Sequence, residues 1–335
     1  MQITRCPENP IVWPGKWDWR RVATFNPGAI IDDDGRFYLF ERACVSLRPL
    51  KCSVGLLVSD DGFHFEHVCD EPVFAADELG FPLGTIEDPR VVKIENTYYM
   101  TFAHRPYTYN CHPTGIRVPE YIPQKGELGS GINNTRSGLA VSKDMRKWEH
   151  LGWITPPEVD DRDNVLFPEK IGGRYAMLRR PMTWFGEEYG CTGPAMWVSY
   201  SDDLSSWSGP ELIAGPENDW EGGKIGAAAP PLRTDEGWLT LYHGVDEVDV
   251  YRVGVMLLDI EDPTKVLARS SDFIMEPETY YEKVGLIIPN VIFPTGNVIK
   301  DGVAYIYYGC ADTCISVATV PVQDILAYVK QYAGA

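Results

Sequence analysis

Asp88 stands in Glu87-Asp88-Pro89-Arg90-Val91, a carboxylate set between an acid and a proline. The proline fixes the backbone around it. A neighbouring carboxylate can lift an aspartate toward the range useful for a general acid, although an aspartate that only caps a turn before proline has the same signature. Spacing does not choose between the two. Cations recur just after alternating apolar runs: Arg42, Arg105, Arg179 with Arg180, and His243, joined by Lys224 in Trp220-Glu221-Gly222-Gly223-Lys224-Ile225-Gly226. Guanidinium forks suit tetrahedral oxyanions and a lysine adds a compact charge, so in a chain of net charge -18 the set reads as an anion site. Taken singly, each arginine could instead pair with a local acid such as Glu169 or Glu221. Asn26, in Phe25-Asn26-Pro27-Gly28, and Asp312, after the last aromatic run, complete the polar list.

Residues this far apart need a scaffold that brings them together, and a repeated unit supplies one. Ser59, Ser142 and Ser201 each have an aspartate two residues on and an aromatic six residues on (Phe65, Trp148, Trp207), following an alternating apolar run. The unit is a strand ending in a tight turn. Apolar runs at 36–40, 97–102, 174–178, 237–242 and 303–308, several preceded by polar turns with glycine, open five strand sets. Helical periodicity is confined to 322–329. The pattern predicts an all-β, five-bladed β-propeller with a short C-terminal helix, one domain over 1–335, whose opening strands line a central channel; a double-sheet sandwich is the competing architecture. Polar residues at the ends of those opening strands then converge on the channel mouth. A long insertion at about 105–136 breaks the rhythm and reads as a lid, with Tyr107, Tyr109 and His112 as candidate stacking residues.

Composition excludes several classes. The acidity opposes binding to nucleic acid or an anionic membrane surface, and no apolar run is long enough to span a bilayer. The first residues lack a basic stretch followed by an apolar one, which argues against classical secretion. Eight scattered cysteines without paired or zinc-type spacing read as reduced thiols of a cytoplasmic protein. Neither a metal nor another cofactor is expected. A homo-oligomer is left open.

At these residues the chain resembles glycoside hydrolase family 130, five-bladed propeller enzymes that act on β-mannosides, most of them phosphorylases. The resemblance rests on Asn26-Pro27-Gly28, Glu87-Asp88-Pro89-Arg90-Val91, Leu166-Phe167-Pro168-Glu169-Lys170-Ile171, Arg180-Pro181, Lys224-Ile225-Gly226-Ala227, Tyr242-His243-Gly244-Val245 and Tyr308-Gly309-Cys310-Ala311-Asp312-Thr313. It implies inverting phosphorolysis, in which phosphate, a co-substrate, attacks the anomeric carbon of a terminal β-mannosyl unit and releases α-mannose 1-phosphate. Asp88 matches the family's general acid, thought to donate through the sugar's 3-hydroxyl. Arg162, Arg180, Lys224 and His243 match its phosphate ligands. Mannosyl contacts are implied for Asn26, Arg42 and Asp312, with Arg105 and Tyr242 expected on the substrate side. One departure is Asp163, where many of these phosphorylases carry asparagine; it would repel phosphate unless it pairs with Arg162 or Arg179. β-1,2-Linked manno-oligosaccharides are the preferred substrate, ahead of β-1,4-mannosyl-glucose or mannosyl-N-acetylglucosamine. Two other readings are a β-mannosidase using Glu187, Glu188 or Glu221 as base, and a sugar-binding propeller without turnover.

Overall fold

A computed structural model describes residues 1–47, 50–82, 84–106 and 135–334. Its strands form five antiparallel sheets arranged as the blades of a propeller. From the inside outwards, blade one is Ala23–Ile31, Phe37–Leu47, Leu50–Ser59 and Glu66–His67, and blade two is Thr85–Ile94, Thr97–Arg105, Arg136–Ser142 and Glu149–Trp153. Blade three is Asp161–Leu166, Tyr175–Pro181, Met196–Ser201 and Glu211–Ala214. Blade four begins with Lys224–Ala227 and Leu232–Thr234, both paired to Gly237–Val245, followed by Tyr251–Leu258 and Val266–Arg269. Blade five is Ile292–Lys300, Val303–Cys310 and Cys314–Pro321, with Thr4–Arg5 as its outermost strand. Both ends of the chain therefore share one sheet, which closes the ring without leaving a long free edge.

Sheets packed face to face around a ring need apolar residues on both faces, and the core divides accordingly. One buried cluster lies between each pair of neighbouring blades, such as Leu239, Val255, Ile306 and Val320 between blades four and five. The helix Val322–Val329 seals the last of these gaps with Val322, Ile325, Leu326 and Val329.

The repeated serine-aspartate unit forms the same turn three times, after the third strand of blades one to three. Ser59, Ser142 and Ser201 accept from the backbone N–H three residues on, at 2.9, 2.9 and 2.8 Å. Asp61, Asp144 and Asp203 each accept from two following N–H groups. Gly62, Met145 and Leu204 adopt left-handed backbone at the same point of the turn. Blade four retains the aspartate half, with Asp259 accepting from Glu261 and Asp262, and blade five replaces the turn by the helix.

The runs expected to line the channel are in fact the second strand of each blade. The innermost strands are harder to see because β-bulges interrupt their alternation, between Phe25 and Gly28, Glu87 and Arg90, Arg162 and Val165, and Pro294 and Gly296. The long, buried second strands stand out instead. The insertion's candidates Tyr107, Tyr109 and His112 lie outside the described residues.

Candidate active site

Two positions, repeated from blade to blade, build the site. The first is the bulge itself. Asn26, Asp88 and Asp163 occupy equivalent places in three innermost strands, all with left-handed backbone (φ 45°, 51° and 51°), a conformation that asparagine and aspartate tolerate best among residues with a side chain. The bulge re-aims a polar side chain into the channel. The second position lies across from it on the second strand. Phe25 pairs with Arg42, Glu87 with Ala103, Arg162 with Arg180 and Gly226 with His243. Arg42, Ala103, Arg180 and His243 are thus one rung of the ladder in four blades, and all four line a single cavity.

That cavity is also lined by Asn26, Glu87, Asp88, Arg162, Asp163, Lys224, Tyr251, Phe293 and Asp312. Asp88 Oδ1 accepts from Asn26 Nδ2 at 2.8 Å and from Arg42 Nη1 at 2.7 Å, which fixes the carboxyl plane and leaves Oδ2 without a partner among the described residues. Asn26 is seated by close packing: a Cβ on Gly309 would stand 2.1 Å from Asn26 Oδ1, so that position requires glycine. Asp312 lies 9% exposed on the hairpin after Val303–Cys310. Burial, added to by Asp88 and Glu87 and opposed by Arg42, pushes its carboxyl up to about 7.

The cationic part of the cavity contains Arg162, Arg180, Lys224 and His243. Arg162 pairs with Asp160 at 2.7 Å. Arg180 forks onto Asp163 Oδ2, with its Nε at 2.6 Å. Burial and then Arg180 depress the Lys224 ammonium to about 8, although Asp163 opposes them, and its Nζ sits 5.2 Å from the centre of the Tyr251 ring. Burial above all pushes His243 down to about 3, so its imidazole is neutral at neutral pH. Neither ring nitrogen has a hydrogen-bond partner among the described residues, and Asp163 Oδ2 lies 3.5 Å from Nε2. Polar atoms this deeply buried call for a partner, which water or a ligand in the cavity can supply.

Asp163 pairs with neither of the arginines expected for it. Arg162 is taken by Asp160 and Arg179 by Asp161, while Asp163 binds Arg180 and, through Oδ1, Arg90 Nη2 at 3.0 Å. Arg90, outside the cavity lining, holds two site residues in place, a role to which the sequence reading gave no weight. It also donates to the carbonyls of Ala228 at 2.8 Å and Asp88 at 3.3 Å, tying the bulges of blades two and three to blade four. It stands just past the bulge between Glu87 and Arg90, where the alternation is interrupted, so its direction left no sign in the sequence. Tyr251 had no signal of its own.

Two expected substrate contacts are not among the described residues that line the cavity. Tyr242 precedes His243, so the period of two along a strand turns it to the opposite face, where it is fully buried and stacks on Trp220. Its hydroxyl donates to Glu221 Oε1 at 2.7 Å, and Arg269 donates to the same oxygen at 2.9 Å. Blade five repeats this group with Tyr308, Glu282 and Arg5, which identifies it as scaffold. Tyr242→Phe is expected to lower stability by about 1–2 kcal/mol, the usual worth of a buried hydrogen bond to a charged group, with Arg269 still donating to Glu221 Oε1 and kcat/KM within about twofold of wild type. Thermal unfolding and initial rates check this; intact stability with collapsed turnover would return Tyr242 to the site. Arg105 lies two residues beyond Ala103 on the same strand face, outside the cavity lining, close enough to help hold Asp160 below the usual carboxylate range.

A family model described as beta-1,4-mannooligosaccharide phosphorylase matches residues 5–117 and 128–331. A 1,2-beta-oligomannan phosphorylase of Thermoanaerobacter sp. is 37% identical, covering 97% of this chain and 99% of that protein. A beta-1,2-mannobiose phosphorylase of the same organism is 35% identical with the same coverage. Among solved structures, the beta-1,2-mannobiose phosphorylase of Listeria innocua in complex with beta-1,2-mannobiose superposes with a TM-score of 0.78 at 26% identity, covering 99% of this chain and 100% of that one. By match length and identity, the chain belongs to glycoside hydrolase family 130, a family of mannoside phosphorylases.

Proposed function

We propose that the protein is an inverting phosphorylase that cleaves a terminal β-1,2-linked mannosyl unit from a manno-oligosaccharide and releases α-mannose 1-phosphate. The observation that carries this reading is the gathering of Arg162, Arg180, Lys224 and a neutral His243, whose ring nitrogens have no hydrogen-bond partner among the described residues, in the cavity that also holds Asp88. A phosphate there is already a nucleophile. One carboxyl then suffices: Asp88 gives its proton to the departing oxygen, through the sugar's 3-hydroxyl, while Asn26, Arg42 and Asp312 hold the mannosyl ring. A glycosidase using water needs a second carboxylate as base. Of the three glutamates named for that role, Glu187 and Glu188 lie outside the cavity lining, and Glu221 is fully buried with both oxygens occupied. A lectin for neutral sugars has no use for the cations.

The β-1,2 linkage is favoured by the names of the two relatives at 37% and 35% identity. No cofactor enters this chemistry. Seven free cysteines among the described residues fit the reducing cytoplasm, where we place the reaction, and no described helix is long and apolar enough to cross a membrane. The test is incubation with β-1,2-mannobiose, β-1,4-mannobiose and β-1,4-mannosyl-glucose, with and without phosphate. α-Mannose 1-phosphate should form only with phosphate and fastest from the β-1,2 substrate. Free mannose released without phosphate sinks the phosphorylase reading, the β anomer sinks inversion, and a β-1,4 preference reverses the linkage.

Lys224 gives a pH signature. Its charge is present below about 8 and lost above it, so kcat/KM for phosphate is expected to fall as pH rises through that value. In Lys224→Met the alkaline limb should vanish, with the apparent KM for phosphate raised below about pH 8 and close to the wild-type value well above it. A profile flat to pH 9 in the wild type would remove the ammonium from phosphate binding.

A further inference from the structure

Asp163 places a negative charge against the very cations that the proposed function assigns to phosphate. It is 3% exposed, and the bulge in Asp161–Leu166 aims it into the cavity. The groups facing it are Arg162 on its own strand, Arg180 on the next, Arg90 from blade two, and Lys224 and His243 from blade four. A fully deprotonated tetrahedral anion in contact with a buried carboxylate would meet like charge in a poorly screened setting. An anion that carries a proton would not. A carboxylate oxygen can accept two hydrogen bonds, and among the described residues Asp163 Oδ1 accepts one, from Arg90.

Resting on the phosphorylase reading, we propose that Asp163 accepts the hydroxyl of the bound phosphate, so that the site takes hydrogen-bearing oxyanions, phosphate and arsenate, and rejects sulfate. Both phosphate species present near neutrality carry at least one hydroxyl; sulfate carries none. Burial raises the Asp163 carboxyl, but the surrounding charges, Arg180 first, outweigh it and hold it well below the usual carboxylate range, so it stays an acceptor throughout the working range. The contact also orients the nucleophile. With the hydroxyl fixed on Asp163, an unprotonated oxygen is left to attack. The bond from that oxygen to the anomeric carbon forms as the glycosidic bond breaks, Asp88 protonates the leaving oxygen, and the phosphate's own proton stays on the mannose 1-phosphate. Release of that proton to solvent and uptake of one by Asp88 close the cycle.

Calorimetric titration with phosphate, arsenate and sulfate needs no turnover and so reads the preference independently of the sugar chemistry. Wild-type protein should bind phosphate and arsenate roughly tenfold to a hundredfold more tightly than sulfate, the cost of leaving a buried acceptor facing an anion without a donor. In Asp163→Asn the side-chain amide can donate to an unprotonated oxygen, so sulfate should tighten about tenfold and the ratio shrink to about threefold or less. A merely structural role for Asp163 would weaken all three anions together. Equal binding of sulfate and phosphate by the wild type overturns the proposal even if the variant does not fold, and so does a ratio unchanged in Asp163→Asn. Failure to make mannose 1-phosphate in the mannobiose assay would remove the phosphorylase reading while the anion preference could still be read.

Discussion

Asp88→Asn is expected to cut phosphorolysis by about 10³-fold or more while leaving sugar and phosphate affinity within a few fold of wild type. The substitution isolates the proton. Asparagine tolerates the left-handed backbone found at this position (φ 51°), so the bulge between Glu87 and Arg90 survives; alanine there would confuse strain with chemistry. Its carbonyl can still accept from Asn26 Nδ2 and Arg42 Nη1, the two bonds that fix the present carboxyl. What is lost is the only proton that Asp88 can deliver to the leaving oxygen, and positioned general acids contribute about 10²- to 10⁴-fold. The measurement is kcat in the phosphorolytic direction together with the affinity for mannobiose. Near wild-type turnover would mean that another group, such as Asp312 with its raised carboxyl pKa of about 7, supplies the proton.

The repeat made the architecture readable, but the site sits where the repeat is locally broken. Ser59, Ser142 and Ser201 recur because an outer turn is solved the same way in each of three blades, and such solutions leave a sequence pattern. Asn26, Asp88 and Asp163 occupy one structural position as well, yet their surroundings read Asn-Pro, Asp-Pro and Asp-Asn. A bulge needs only a residue that accepts left-handed backbone, so it imposes no wider motif and erases the alternation that would announce the innermost strand. Arg42, Arg180 and His243 were legible because each follows an apolar run visible in the sequence, although those runs belong to the second strand of each blade and Arg42 lies in mid-strand, not at the end expected for it. Tyr242 shows the limit of that reasoning. Proximity to a strand end does not specify which face a side chain takes or how far along the ladder it lies. The pairing of acids with cations was also beyond reach, since Arg90, Asp163 and Arg180 come from different strands and two blades.

That pairing decides the second large effect. Arg180→Ala should raise the apparent KM for phosphate by about 10²-fold or more and leave mannoside binding little changed, because Arg180 contributes to the anion side and none of the bonds around Asp88 involves it. Two losses combine. A fork that can turn toward the phosphate disappears, and Asp163 loses a close guanidinium while remaining buried, so one neighbour of the anion becomes more repulsive. The second loss can be separated from the first. In Arg180→Ala/Asp163→Asn the buried charge is gone, and the double variant is expected to bind phosphate more tightly than Arg180→Ala alone, by about tenfold, although it carries one change more. Coupling of this sign on phosphate KM, with thermal stability of the two variants equal, is expected when Asp163 and Arg180 act on the same anion. Strictly additive effects on phosphate KM would show that the ion pair supports the blade without touching the substrate. An unchanged KM in Arg180→Ala would take the arginine out of the phosphate site, and with it the reason why a chain so acidic gathers its cations in one cavity.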